Sequence, residues 1–221
     1  MSRAAKRLAD KKSDKIEKIL EGAAHLQSQG QLAEAEDLYR KILDKVPGHA
    51  GTLRLMAVLA HQTGRSNEET IDYLKQSLES DPDFAVAHKN IGFLLIQEKR
   101  VDEAIFHFSQ AARLLPEDIE CRLEIARMLD EEGESDEALE VYREIIEIND
   151  TDARAYRGLG KVLAARADNE SKAGAADAMR SAIARQPDDH ITQLHAATVF
   201  AGLKLPDDAL RAFEKAIEIK E

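Results

Sequence analysis

The feature that most constrains the fold is a stretch of 34 residues, 85–118, in which a short charged break separates two helical patterns of apolar residues. Small residues stand where two helices must cross closely, and larger apolar residues stand beside that crossing. A proline closes the second pattern, because its ring cannot continue the helical hydrogen bonds. These positions are Ile91, Gly92, Leu95, Ala104, Phe108, Ala111 and Pro116. One such pair leaves apolar surface in water, so the stretch predicts copies of itself on both sides.

The same offsets recur along almost the whole chain. The predicted repeats are 16–49, 50–84, 85–118, 119–152, 153–189 and 190–221, preceded by a basic extension over residues 1–15. The second repeat is one residue longer than the third, and the extra residue is expected in a turn at Gly64. The fifth has three surplus residues, expected in a loop over 168–172, because insertions cost least in loops. Pro206 is expected in the first turn of the last helix.

This spacing resembles the tetratricopeptide repeat (TPR) over residues 16–221. The first pattern position of that family is often Trp, and here it is Ile19, Leu53, His88, Arg122, Tyr156 and Gln193. The resemblance implies an all-α fold, a right-handed superhelix (solenoid) of antiparallel helix pairs. It also implies that the first helix of each pair lines a concave groove and that the second helices form the outer surface.

Composition and charge narrow the class of protein. Hydrophobic residues make up 43% of the chain and charged residues 33%, which is ordinary for a soluble protein. A net charge of −11 disfavours general nucleic-acid binding. No apolar run approaches the ~18–20 residues that span a membrane, and no signal peptide follows the basic N-terminus. We therefore expect a cytoplasmic protein that neither binds nucleic acid nor inserts into a membrane.

The basic extension differs in charge from the rest of the chain. Residues 1–15 carry six Lys and Arg against two Asp, a net charge of +4, so the remainder carries −15. Only Leu8 in this segment is strongly apolar. The pattern predicts a solvated tail or extra helical turns that lead into the first repeat. The alternative is a basic anchor for acidic lipid or RNA.

The chain lacks the motifs of common active sites. There is no Gly-rich phosphate loop, no HExxH and no CxxC. His190 and His195 are five residues apart and do not share a helix face as a pair of metal ligands would. Cys121 is the only cysteine and is expected to be a small buried side chain. The sequence therefore predicts a protein that is not an enzyme and binds no cofactor or metal.

The repeat register predicts which residues face the groove. The candidate protein-binding residues are Arg54, Leu55, Lys89, Asn90, Phe93, Leu123, Arg127, Arg154, Arg157 and Lys161. The same register also places on this face Val58 and His61 of the second repeat and Glu17, Leu20, Glu21 and Ala24 of the first.

Two binding modes of the family can be tested against these positions. Co-chaperone members hold a C-terminal carboxylate with Lys and Asn side chains, but after Asn90 the next repeat offers Glu120 and Glu124, which would repel a carboxylate. Glycosyltransferase members carry one Asn in each repeat. The matching positions here are Glu21, Leu55, Asn90, Glu124, Gly158 and His195, with a single Asn. Neither mode is expected.

A change of charge between the fourth and fifth repeats remains. The fourth repeat contains thirteen acidic residues and three arginines, and the fifth opens with Arg154, Arg157 and Lys161. In one interpretation Glu120 and Glu124 pair with these cations. In the other, the cations capture an acidic peptide beside the apolar groove residues of the third and fourth repeats. The two can coexist.

The expected function is a protein-interaction scaffold that binds a peptide or protein segment in its groove, and an acidic segment is one candidate partner. The alternative is the partner- or substrate-binding part of a larger enzyme. Residues 47–65 resemble the opening repeats of bacterial multidomain proteins that carry a sulfotransferase, glycosyltransferase or methyltransferase domain. A third hypothesis is a homo-oligomer, formed through the apolar face of the last helix around Leu210, Phe213 and Ile217.

Overall fold

The computed structural model describes residues 3–220, with side chains from residue 14 onward. Within this range the chain forms twelve α helices and no strand. The helices are α1 (Arg3–Ser28), α2 (Leu32–Leu43), α3 (Ala50–Gln62), α4 (Asn67–Ser80), α5 (Ala85–Gln97), α6 (Val101–Leu114), α7 (Ile119–Glu132), α8 (Ser135–Ile148), α9 (Ala153–Ala164), α10 (Asn169–Arg185), α11 (His190–Gly202) and α12 (Pro206–Lys220).

The helices fall into two compact units. Unit 1 contains α1 to α6 and ends at Leu114, and unit 2 contains α7 to α12. In each unit consecutive helices pack as pairs, α1 with α2, α3 with α4 and α5 with α6, then α7 with α8, α9 with α10 and α11 with α12. The first helix of a later pair also packs against the pair before it in the same unit. The predicted fold class, all-α with repeated helix pairs, is confirmed.

Aspartates start most of the helices of unit 2. The carboxylates of Asp118, Asp152, Asp168 and Asp189 accept hydrogen bonds from backbone N–H groups in the first turns of α7, α9, α10 and α11. These bonds satisfy donors that have no partner within the helix, and the negative charge also suits the helix N-terminus. At the other end of α7, Gly133 adopts φ 89°, a left-handed conformation that glycine tolerates well.

In each unit an aromatic ring lies over a glycine where two helices cross. In unit 1 the ring of Phe108 covers Gly92, and a Cβ atom on that glycine would lie 2.8 Å from the ring. In unit 2 Tyr142 covers Gly158 even more closely. Ala104 and Phe108 are fully buried, so the α5–α6 crossing has no room for larger side chains.

The fourth residue of several first helices is tied to the turn that precedes the helix. His88, Arg122 and Gln193 are the fourth residues of α5, α7 and α11. Each donates a hydrogen bond to the carbonyl of the proline six residues earlier, over 3.2, 2.8 and 2.7 Å. These polar residues occupy the position where the family often has Trp. Their shared bond explains why polar residues are accommodated there.

In α9 the carbonyl six residues before the fourth helix residue is also hydrogen-bonded, but by a side chain of another helix. The fourth residue of α9 is Tyr156, and the residue six positions earlier is Asp150. Arg185 of α10 donates to the Asp150 carbonyl and, over 2.9 Å, to the Tyr156 hydroxyl. Its guanidinium carbon lies 3.9 Å from the centre of the Tyr156 ring, within cation–π range. One arginine therefore satisfies the carbonyl that the fourth residue satisfies elsewhere.

The basic extension continues directly into the first repeat. The backbone of α1 is one helix from Arg3 to Ser28 and so includes most of residues 1–15. This agrees with extra helical turns that lead into the repeat. Met1, Ser2 and the side chains up to residue 13 lie outside the described residues, and the alternative of a basic anchor for lipid or RNA depends on them.

The three surplus residues of the fifth repeat do not form the predicted loop over 168–172. Asp168 instead caps α10 by accepting from the N–H of Ser171 over 2.7 Å, and the residues from Asn169 onward form the first turn of that helix. The loop prediction was wrong because a good cap extended the helix by a turn. The other two local predictions are confirmed, since Gly64 lies in the turn between α3 and α4 and Pro206 opens α12.

Candidate functional site

Unit 1 has a cleft of about 220 Å³ between α3 and α5, with α4 contributing to its wall. The residues that line it are Ala57, Val58, His61, Thr70, Leu74, Asn90, Phe93, Leu94 and Gln97. They include Asn90 and Phe93 from the predicted binding residues, and Val58 and His61 from the predicted groove register. The contributions of Thr70, Leu74 and Gln97 were not predicted, because the sequence register alone does not show where α4 approaches the first helices.

The cleft has an apolar floor and a polar rim. Leu74 and Leu94 are buried beneath it, whereas Phe93 remains 37% exposed. The ring of Phe93 meets that of Phe108 edge to face with 5.0 Å between centroids, which fixes its orientation. Asn90 and Gln97 carry amide groups that can both donate and accept hydrogen bonds, as a peptide main chain requires.

The two first helices that form the cleft carry no carboxylate. Helix α3 contains Arg54 and α5 contains Lys89, and neither helix has an Asp or a Glu. The acidic residues of α2, α4 and α6 lie on the second helices of unit 1, and they are Glu34, Glu36, Asp37, Glu68, Glu69, Asp72, Glu79, Asp102 and Glu103. Among the side chains of residues 14–220, Arg54 has no carboxylate within ion-pair distance. In a chain of net charge −11, the Lys and Arg of the two helices that form the cleft are therefore their only fully charged side chains, although neither Arg54 nor Lys89 lines the cleft itself.

In unit 2 the predicted cations of α9 contact carboxylates of the same chain. Arg154 contacts Asp152 at 2.7 Å and Glu120 at 2.8 Å. Arg157 lies 3.4 Å from Asp189, and Lys161 lies 2.7 Å from Asp130.

Only part of the predicted pairing within unit 2 occurs. Glu120 does pair with Arg154 of α9. Glu124 instead pairs with Arg127, one turn along the same helix, at 2.8 Å. A side chain three residues away on one helix is reached at less conformational cost than one on a neighbouring helix. Arg127 also contacts Glu131, so this predicted binding residue takes part in a local network.

The ion pairs with Arg154 and Arg157 help to lower the pKa values of two aspartates. Burial would raise the pKa of Asp152, but hydrogen bonds from Arg154 outweigh it and the pKa falls below its usual value. Hydrogen bonds from Thr192 lower the pKa of Asp189, with a further contribution from Arg157. Both aspartates therefore stay ionised at neutral pH and hold their cations.

Two of the predicted apolar binding residues are partly used in the core. Leu55 packs against the cluster of Ala23, Ala35, Tyr39, Met56 and Leu59 in unit 1. Leu123 packs against the cluster around Ala126 and Tyr142 in unit 2. Both remain half-buried rather than fully enclosed. Phe93 is thus the most exposed of the three apolar residues that were predicted to bind a partner.

A pair of histidines in unit 1 was not predicted. The Nδ1 atoms of His88 on α5 and His107 on α6 are 2.9 Å apart. Nε2 of His88 must donate to the Pro82 carbonyl, so its Nδ1 accepts and Nδ1 of His107 donates. Burial, followed by the charge of His88 and of Lys75, lowers the pKa of His107 to about 4, and burial also lowers that of His88. No sequence spacing signals this pair, because the residues lie on different helices.

The last helix pair exposes apolar side chains. Leu210 and Ile217 of α12 are 59% and 61% exposed, and Phe213 is 39% exposed. A depression of about 390 Å³ is lined by His190, Leu194, Phe213, Ala216, Ile217 and Lys220. This exposed apolar surface could form the contact of the predicted homo-oligomer, which stays a prediction.

Two further features are absent from the described residues. No group of three or more His, Cys, Asp or Glu side chains among them is arranged to hold a metal ion. None of the helices in the described part of the chain is both long and apolar enough to cross a membrane. Cys121 is buried, as expected for a small packing residue.

Repeated helix pairs of this length, with small residues where the helices cross, are typical of helical-repeat proteins, and this chain is one of that class. Two sequence models of the tetratricopeptide repeat match residues 95–165 and 165–221, together more than half of the chain. The chain therefore belongs to the TPR family, and the predicted family is confirmed. This fold serves in general as a non-catalytic scaffold for protein–protein interaction. No curated protein sequence matches the chain.

Solved structures share the fold at low sequence identity. A TPR protein from Parabacteroides merdae is 17% identical with a TM-score of 0.74, covering 93% of this chain and 80% of its own. PilF of Pseudomonas aeruginosa is 16% identical with a TM-score of 0.70, covering 90% and 89%. YrrB, described as a TPR protein with an unusual peptide-binding site, is 21% identical with a TM-score of 0.64, covering 82% and 91%.

Proposed function

We propose that this protein is an interaction scaffold that binds an extended peptide segment of a partner protein in the cleft of unit 1, between α3 and α5. The observation that carries the proposal is the cleft itself, with a buried apolar floor beside amide side chains at its rim. An apolar pocket with a few polar groups at its edge is the usual form of a ligand site.

The groups around the cleft suit a peptide. Val58 and Phe93 present apolar surface to a side chain, and the amide of Asn90 can bond both the N–H and the C=O of a peptide group. The Gln97 amide can donate to a peptide C=O, while its oxygen already accepts from Asn67 over 3.3 Å. Aromatic anchors held by neighbouring rings lose little conformational entropy on binding, and Phe93 is held by Phe108. That YrrB has a peptide-binding site on the same fold is consistent with this proposal.

The proposal gives the cations of unit 2 a different role. Arg154, Arg157 and Lys161 each contact at least one carboxylate of the chain. An acidic ligand would have to compete with these internal partners, which are always present. We therefore assign these three residues, with Arg127, first to the internal ion pairs of unit 2 and only secondarily to a partner.

The alternative is that the chain is the binding region of a larger enzyme. The cleft would then bind a peptide segment through the same residues. In that case the bound segment would belong to the enzyme's substrate or to another domain. The two hypotheses differ in whether the partner becomes chemically modified, which mass spectrometry of the bound partner would show.

A photo-crosslinking experiment tests the proposed location. The photoreactive residue p-benzoylphenylalanine would replace Phe93 in one variant and Phe106 in the other. Phe106 is a matched control, since it lies in the same unit, is 57% exposed and belongs to the second helix α6. After irradiation in lysate of the source organism, we expect crosslinked partner protein from position 93 and not from position 106.

A second change links the crosslink to the cleft. Val58→Trp should fill the cleft without altering charge, and should remove the crosslink at position 93 while the helical circular dichroism stays unchanged. Equal crosslinking at both positions, or a crosslink that survives Val58→Trp, would place the partner on another surface and contradict the proposal.

A further inference from the structure

We infer that the cleft of unit 1 selects a segment in which one large apolar side chain stands about two residues from an acidic side chain. This inference rests on the proposed function, since it specifies the chemistry of the partner at the same cleft. Two observations support the inference: the volume of the apolar cleft, and the position of the cations along α3 and α5, the helices that form the cleft.

The cations lie toward one end of the cleft. Arg54 precedes the lining residue Val58 by four positions on α3, and Lys89 precedes Phe93 by four positions on α5. Because one helix separates α3 from α5 in an antiparallel arrangement, these two first helices run in the same direction. The two cations are therefore at the same end, which is also the end of the two helix N-termini with their positive partial charge.

The charges on α3 and α5 favour an anion at this end, although one described carboxylate of α1, that of Glu17, lies 3.7 Å from the α3 cap residue His49. Helices α3 and α5 contribute no carboxylate, and Arg54 forms no ion pair with residues 14–220. The opposite end of the cleft is bordered by the uncharged Gln97 and by His61. A partner with a negative charge at one end of its apolar anchor would thus meet complementary charge, which improves both specificity and the rate of association.

The spacing of the motif follows from helix and strand geometry. Four residues of an α helix advance about 6 Å, which is the distance along the axis from Arg54 to Val58. An extended peptide advances about 3.3 Å per residue, so about two residues span the same distance. The volume of the cleft, about 220 Å³, exceeds that of an engineered protein cavity of about 150 Å³ that holds benzene. It is therefore large enough for one leucine, methionine or phenylalanine side chain.

Synthetic peptides provide the test. The probe is a fluorescein-labelled nine-residue peptide of Ser and Gly with one central Leu and a Glu two residues away, made with the Glu on either side because the direction of binding is not assumed. Three control peptides carry Gln in place of Glu, Lys in place of Glu, or Ala in place of Leu. Binding to the full chain is measured by fluorescence anisotropy at low and at physiological salt.

The variants separate charge from shape. Arg54→Glu reverses the charge at the cleft, and Lys41→Glu makes the matched change at an exposed position on the second helix α2 of the same unit. Val58→Trp fills the pocket, and Asn90→Ala is a second pocket variant in case the first fails to fold. Circular dichroism and thermal melting confirm the fold of each variant.

We expect one Glu–Leu peptide to bind at least tenfold more tightly than its Gln and Lys controls, and its affinity to fall at least tenfold in Arg54→Glu but less than twofold in Lys41→Glu. If the Glu and Gln peptides bind equally and both lose binding in the pocket variants, the proposed function stands and the acidic preference is wrong. If neither peptide binds better than the Ala control, both the preference and the proposed cleft are overturned.

Discussion

The first helices of both units carry cations, but the cations have different surroundings in the two units. In unit 2, Arg154 and Lys161 are held by Asp152, Glu120 and Asp130 of the same chain. In unit 1, α3 and α5 contain no carboxylate at all, and the cation of α3 stands about one helical turn before Val58, which lines the cleft. A cation that is already paired within the fold contributes to folding and discriminates little between partners.

The difference shows that the sequence position of a charge is a poor guide to its availability. The cluster in α9 is the most conspicuous basic feature of the groove register, yet its partners come from α7 and from the caps that start α9 and α11. The cation of α3 is a single arginine in an otherwise apolar helix. Availability depends on the acidic residues of neighbouring helices more than on the number of cations.

The largest effect is expected at the helix crossing that supports the cleft of unit 1. Ala104→Leu should lower the free energy of unfolding by roughly 1–3 kcal/mol, because Ala104 is fully buried beside Phe108. Displacing Phe108 should also loosen Phe93 and weaken peptide binding. Ala33→Leu, the same change at an exposed position of α2, serves as the control in urea unfolding. An unchanged midpoint for Ala104→Leu would contradict the close packing described for this crossing.

The second effect is the response of stability to acid, to which a histidine of each unit contributes, since partial burial lowers the pKa of His107 in unit 1 and of His195 in unit 2. His107 has a pKa of about 4 in the folded protein, below the usual 6.5. Its neutral form is favoured by folding, so this stability is present above pH 6.5 and is lost as the pH falls toward 4. Because His107 is only partly buried and water screens its charge, the free energy of unfolding should fall by about 1–2 kcal/mol between pH 7.5 and 5.

The groups that face the histidine pair are Lys75, Glu103, Asp83 and Arg113. The pH range above 5 avoids most titration of the carboxylates. His107→Gln keeps a hydrogen-bond donor for His88 and, in urea unfolding, should remove the part of the pH dependence that His107 contributes, leaving the smaller parts of His88 and His195. Hydrogen exchange should show the acid-induced loss first in α5 and α6. A profile that is the same in the variant would assign the acid sensitivity to other groups.

The third effect concerns the aspartate that starts α9. Asp152→Ala removes both the cap of the helix and the closest partner of Arg154, and should cost about 1 kcal/mol. Asp152→Asn keeps an oxygen that can accept the cap bond and should cost less. Thermal unfolding of the two variants separates the cap from the ion pair. If they were equally destabilised, the charge of Asp152 rather than its cap would be the important contribution.

The smallest effect is expected for an exposed ion pair of unit 2. The side chain of Lys161 is 65% exposed although it contacts Asp130. Lys161→Gln should therefore change the free energy of unfolding by less than about 0.5 kcal/mol, and less still in high salt. A loss above about 1 kcal/mol in urea unfolding would show that the ion pairs of unit 2 stabilise it more than their exposure suggests.

The sequence predicted the helix pairs and the close crossings well, because both depend on local spacing. Ala104, Phe108 and Leu95 stand at offsets that a helix pair requires, and all three are buried. The register of α5 correctly placed Asn90 and Phe93 on one face, and both line the cleft, whereas their role in binding a partner stays a prediction. The partners of Arg157 and Lys161 and the pairing of His88 with His107 were not predictable, because they depend on which side chains of different helices meet.

The bond from the fourth residue of a first helix to the carbonyl six residues earlier has a consequence for how such chains can be rearranged. Each such bond closes a seven-residue segment that spans the start of a helix pair. The three segments run from Pro82 to His88, from Pro116 to Arg122 and from Pro187 to Gln193. A helix pair moved to a new place in the chain keeps this bond only if its preceding turn moves with it. Recombination or design that joins pairs within the turn would break it, whereas a joint before the proline would leave it intact.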